Sequence, residues 1–130
     1  MKQLKNTFLL GLIIFFTSCE GGTDYSFNIQ NSSDQSILVN SVIWTNDTVT
    51  NTVLSGETKE IGFRSKLGGT EDEGEISGLV QYLFIETTKG KDCKKELLLH
   101  SNWKVDSEHL SKIPSNYKHT YTITVNNEDF

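Results

Sequence analysis

His119-Thr120-Tyr121-Thr122-Ile123-Thr124-Val125 decides the fold. Large side chains occupy every second position and threonines fill the places between. A period of two puts His119, Tyr121, Ile123 and Val125 on one face of a β-strand, with Thr120, Thr122 and Thr124 on the other. Aromatic and β-branched residues suit such a pleated, half-buried surface. Toward the N-terminus the same alternation recurs in Tyr25, Phe27 and Ile29, set against Ser26, Asn28 and Gln30, until Asn31-Ser32-Ser33-Asp34 breaks it. Ile37 to Trp44 predicts a second strand, turned by Thr45-Asn46-Asp47. Thr48 to Leu54 predicts a third, ended by Ser55-Gly56-Glu57, and Lys59 to Phe63 a fourth with Ile61 and Phe63 on one face. Leu79 to Ile85 is apolar on both faces, which predicts a central strand covered from both sides. Glu96 to His100 and the opening heptapeptide complete the set.

About seven short strands separated by turn residues predict an all-β fold, a single antiparallel β-sandwich. Helical spacing is confined to Asp106-Ser107-Glu108-His109-Leu110-Ser111-Lys112-Ile113, stopped by Pro114. Asp106 or Ser107 can cap its start, and Leu110 and Ile113 lie three apart, so a short helix over 106–113 is expected to plug one end of the sandwich. The segment Leu54-Ser55-Gly56-Glu57-Thr58-Lys59-Glu60-Ile61 resembles the Gly-Glu-Thr turn of immunoglobulin-like and fibronectin-type envelope domains. The resemblance implies an immunoglobulin-like sandwich over residues 25–130. A lipocalin-like barrel is the alternative, and it lacks the early Gly-x-Trp of that family.

Ahead of this body, Lys2 and Lys5 precede the apolar run Phe8-Leu9-Leu10-Gly11-Leu12-Ile13-Ile14-Phe15-Phe16. Crossing a hydrocarbon core as a helix takes roughly 20 residues, so the run is too short to span and reads instead as the core of a signal peptide over 1–18. Phe16-Thr17-Ser18-Cys19 resembles the lipobox of bacterial lipoproteins, with Phe16 standing where leucine is usual. That resemblance implies diacylation of the Cys19 sulfur and an address in the cell envelope, anchored to the outer membrane. Each buried acyl CH₂ contributes about 0.8 kcal/mol, so two or three chains hold a protein without any spanning helix. Residues 19–24, which include Glu20-Gly21-Gly22-Thr23-Asp24, read as a short flexible tether carrying the body clear of the bilayer. Leader, body and closing strand together resemble small lipoproteins of Gram-negative bacteria.

The 130 residues fit one domain and exclude a repeat array or a polytopic membrane protein. Removing Lys2 and Lys5 leaves 10 basic residues against 17 acidic ones, a net charge of −7. No basic surface remains to neutralise phosphates, which argues against nucleic acid as a partner. If Cys19 holds lipid, Cys93 has no partner in the chain, although the cations of Lys89-Gly90-Lys91-Asp92-Cys93-Lys94-Lys95 would favour its thiolate. A Cys19–Cys93 disulfide requires the lipobox reading to fail.

Chemistry-bearing motifs are sparse. Serines are plentiful, yet none sits in a Gly-x-Ser-x-Gly turn, and Gly68-Gly69 lacks the Gly-Lys-Ser/Thr of a phosphate loop. His100, His109 and His119 are not at metal-binding spacing. Glu71-Asp72-Glu73-Gly74-Glu75 offers hard oxygen donors, but not at the spacing of an EF-hand loop. The expectation is therefore a non-enzyme with no cofactor, no metal and no catalytic residues. Its recognition patch is placed at Glu71, Asp72, Glu73, Glu75 and Trp103, the last in the loop-like Ser101-Asn102-Trp103-Lys104. The partners expected are the membrane, through Cys19, and a protein or glycan ligand. The alternatives are an acidic inhibitor or immunity lipoprotein that neutralises a basic enzyme such as a lysozyme or toxin, and a small envelope hydrolase.

Overall fold

The computed structural model describes residues 20–130. The expected signal peptide and Cys19 lie outside those residues. Seven strands build two sheets: β1 (Gly22–Asn31), β2 (Ile37–Val42), β3 (Val49–Val53), β4 (Thr58–Leu67), β5 (Tyr82–Thr87), β6 (Trp103–Lys112) and β7 (Ser115–Val125). One sheet runs β4-β1-β7-β6 and the other β3-β2-β5. The all-β sandwich is thus present. Its strand grouping differs from that of an immunoglobulin constant domain, which groups its first, second, fifth and fourth strands. Here the first, fourth, sixth and seventh share a sheet. The central pair β1/β7 is parallel, from Gly22↔Asn116 to Asn31↔Val125, whereas the other pairs are antiparallel.

The core forms where the alternating faces meet. Phe27, Ile29, Tyr121, Ile123 and Val125 of the larger sheet pack toward Ile37, Val39, Val53 and Ile85 of the smaller, and all nine are fully buried. Burying an aliphatic or aromatic side chain of this kind contributes about 1.5–3 kcal/mol. The pattern of β7 is realised as its sequence predicts.

Four expectations need correction. Residues 106–113 are no helix: all but Ile113 lie in β6, whose backbone pairs with β7. Pairing along that otherwise open edge outweighs the local capping signals, and among the described residues the one α-helical turn is α1 (Ile76–Leu79). Leu79 and Val80 belong to α1 and its exit, so the strand starts later, at Tyr82, and lies at an edge. Its free side is partly covered by residues 91–93, where Lys91 accepts from Thr87 N–H and Cys93 N–H donates to Ile85. Glu96 to His100 forms turns leading into a 3₁₀ turn (His100–Asn102). Finally, Ile61 is buried but Phe63 is exposed. Phe27 opposes Gly62 while Asn28 opposes Glu60, leaving Ile61 as an extra, bulged residue that reverses the phase of β4.

Part of the segment 19–24, expected to be flexible, is ordered in the fold. β1 already takes up Gly22, Thr23 and Asp24, and Gly21 is fixed by Gly68 N–H donating to its carbonyl at 2.8 Å. Gly22 N–H donates to Asn116 Oδ1 at 2.7 Å. A side chain at Gly21 would collide with the Ser115 carbonyl, so glycine is required there.

Strand length positions the candidate site. β1, β4 and β6 have 10 residues and β7 has 11, against 6, 5 and 6 for β2, β3 and β5. At about 3.3 Å per residue the larger sheet outreaches the smaller by roughly 13 Å. The overhang lies at the start of β1: Ile43, just past β2, sits against Gly62, and Trp44 next to it stacks on Arg64, whose guanidinium carbon is 3.5 Å from the ring centroid. Beyond that row no strand among the described residues opposes the inner face of the larger sheet. The segment 68–80 covers it instead.

Candidate functional site: an acidic loop on a polar floor

A loop laid over a sheet face carries backbone groups that have no ladder to join, and burying them unpaired is costly. The overhanging floor supplies side chains to meet them. Thr23, buried in β1, donates its hydroxyl to the Gly68 carbonyl at 2.6 Å and accepts from Thr70 N–H at 2.9 Å. Tyr121 donates its phenol to the Gly74 carbonyl at 2.9 Å. His119, fully buried, lies 2.8 Å through Nε2 from the Thr70 carbonyl and 2.7 Å through Nδ1 from Ser107 Oγ. A carbonyl only accepts, so Nε2 carries the proton and Nδ1 takes the Ser107 hydroxyl. Further along the loop, Ile76 N–H donates to His100 Nδ1 at 3.3 Å, which leaves His100 Nε2 to donate to Glu73 Oε1, also at 3.3 Å. Glu75 Oε2 lies 3.6 Å from the same ring.

Register explains this assembly. Tyr25, His119 and Ser107 are lateral partners on β1, β7 and β6, and Phe27, Tyr121 and Val105 form the next row. The rings also pack together: Phe27 and Tyr121 stack at 5.2 Å, and Tyr25 and His119 lie 5.5 Å apart. Burial of Tyr121 pushes its phenol up to about 12, against the smaller opposing effect of the hydrogen bond to Gly74.

The loop's backbone is pinned inward while Glu71, Asp72, Glu73 and Glu75 are exposed. These four predicted site residues therefore share one surface. Trp103 does not join them. It is buried, donates its indole N–H to the Leu97 carbonyl at 2.7 Å and faces the core, opposite Ile123. The exposed tryptophan is Trp44, at φ 66°. Sequence reasoning missed Thr23, Ser107 and Tyr121 as the loop's supports. The available signal was His119, a polar ring in phase with an apolar strand face, which needs partners for both nitrogens.

Ser107 and His119 are placed as a hydroxyl–imidazole pair, the arrangement that nucleophilic catalysis uses. Here both ring nitrogens are engaged in joining β6 to the loop, and the ring is inaccessible. His109 lies apart on β6, stacked on Tyr117 at 4.3 Å. Among the described residues no three His, Cys, Asp or Glu side chains gather to hold a metal ion. Cys93 is half-buried against the core, and burial raises its thiol pKa despite Lys95, so the thiolate expected from the flanking lysines is not favoured. At the opposite end, a polar recess of about 220 Å³ opens among Ser33, Asp34, Thr87, Lys91 and Asn127. Asp34 N–H there donates to Asn127 Oδ1.

No protein-family model matches the chain, and no curated protein or solved structure matches it significantly.

Proposed function

We propose that the protein is a non-enzymatic module of the cell envelope, held to the outer membrane by acylated Cys19, that binds a partner through the loop carrying Glu71, Asp72, Glu73 and Glu75. One observation carries this reading: four exposed carboxylates stand on a loop whose carbonyls are fastened to the buried side chains of Thr23, His119 and Tyr121. A pinned loop loses little conformational freedom on binding, which favours recognition. A second reading narrows the partner to a basic enzyme such as a lysozyme, which the protein would inhibit. The acidic excess of the body supports it, because complementary fields speed association.

Affinity capture of the acylated protein from its native envelope tests both readings. The wild type is compared with a variant in which Glu71, Glu73 and Glu75 become Gln and Asp72 becomes Asn. The expected outcome is a partner retained by the wild type and lost by the neutralised loop. Equal recovery by both would remove the loop as the binding surface. Complex formation indifferent to added salt counts against the basic-enzyme form.

A further inference from the structure

The two most exposed large apolar side chains among the described residues are Ile113, at 87% exposure, and Leu67, at 80%. They come from distant parts of the sequence and lie at one end of the larger sheet. Leu67 pairs with Gly22, Gly22 with Asn116, and Asn116 with Ser111, so these four residues form the last row shared by all four strands. Ile113 lies two residues beyond Ser111, in the turn between β6 and β7. Leu110, the residue skipped in the β6/β7 register just before Ser111, is 51% exposed. The chain enters the fold at this same row, with Gly21 bonded to Gly68.

Cys19 stands three residues before Gly22. A fully extended chain covers about 3.3–3.6 Å per residue, so the end row lies within roughly 11 Å of the Cys19 backbone. Because Gly21 and Gly22 are bonded in place, nothing longer than Glu20 separates the fold from that cysteine. Charge at this end also departs from the rest of the chain. In the segments 20–23, 66–69 and 109–117, Lys66 and Lys112 are opposed by Glu20 alone, although the body as a whole is acidic. Apolar side chains beside lysines suit the boundary between acyl chains and anionic headgroups.

We infer that this end of the sandwich rests on the bilayer that holds Cys19, with Ile113, Leu67 and Leu110 seated in the interface and the acidic loop directed along the side of the body. The inference depends on the lipid-anchor reading above and replaces a loosely tethered body with an oriented one. Orientation restricts which partners reach Glu71–Glu75, because the loop begins one row from the membrane-facing end.

The test uses the acylated protein reconstituted in vesicles of phosphatidylethanolamine and phosphatidylglycerol. A photoreactive benzophenone amino acid is placed at Ile113, or at Lys89 in the exposed turn after β5 at the opposite end. Lipid adducts are counted by mass spectrometry, which also reads the acyl group on Cys19. The expected result is roughly tenfold more phospholipid adduct from position 113 than from position 89, falling toward the level of position 89 when Leu67→Asp is added with acylation intact. Leu67 is so exposed that this substitution leaves the core untouched. Equally low adduct at both positions in a protein that is acylated and floats with the vesicles overturns the docking and leaves the anchor standing. Absence of an acyl group on Cys19 overturns the anchor and the docking together.

Discussion

The two halves of the larger sheet use the same strands for different purposes. In the half facing β2, β3 and β5, Ile29, Ile123 and Val125 meet aliphatic partners across an apolar interface. In the overhanging half, Thr23 and His119 on those strands meet a loop. Strand faces strand through apolar contact because each sheet satisfies its own backbone. A loop cannot, so the floor beneath it carries hydroxyls and an imidazole. The polar composition of this half is thus a consequence of what covers it, not of poor packing.

Truncation in the apolar half is expected to cost most. Ile123→Ala should lower the unfolding free energy by about 2–5 kcal/mol, read by urea denaturation, while leaving native-state proteolysis of the loop near the wild-type pattern. A loss below about 1 kcal/mol would break the assignment of stability to this half. His119→Phe should cost about 1–3 kcal/mol, because the Thr70 carbonyl loses its donor. Its signature is local: faster amide exchange around Thr70 and cleavage near Glu71–Glu75. If it destabilised the whole fold without loosening the loop, the two halves would not be separable.

Tyr121→Phe should cost about 1 kcal/mol through the lost bond to Gly74, and it carries a pH signature. The folded phenol titrates near 12, above the ordinary value of 10.0, so the native state holds its proton where the unfolded chain has released it. Stability from this group is therefore complete below about pH 10 and falls as pH rises toward 12. The variant should lack that part of the alkaline decline in a melting-temperature series. Glu73→Gln should have the smallest effect, under about 1 kcal/mol in thermal unfolding, since its pairing with His100 is partly solvent-exposed.

The central strands β1 and β7 were legible because each has one face in the core, and burial imposes alternation on the sequence. β6 was not legible, for the same reason inverted. As an edge strand with most residues exposed, it carries no apolar period, and Asp106, Ser107 and Pro114 then resemble helix punctuation. The acidic patch was visible as a run of carboxylates, but the scaffold beneath it was not. Thr23 and Tyr121 reach the loop, and Ser107 reaches it through His119, only after register is set on three strands. Trp103 was misplaced because its neighbours in sequence are polar, while its indole finds the Leu97 carbonyl and the core.

By itself, then, the amino-acid order determined that this chain folds as strands with a period of two, that turns divide them, and that charge gathers at residues 71–75. Those are local properties, written within a few neighbouring side chains. Tertiary structure alone decided the parallel pairing of β1 with β7, the bulge at Ile61 and the overhang that requires a polar floor. These depend on which strands become neighbours and how far each extends, a competition among distant backbone hydrogen bonds that no short stretch of sequence records.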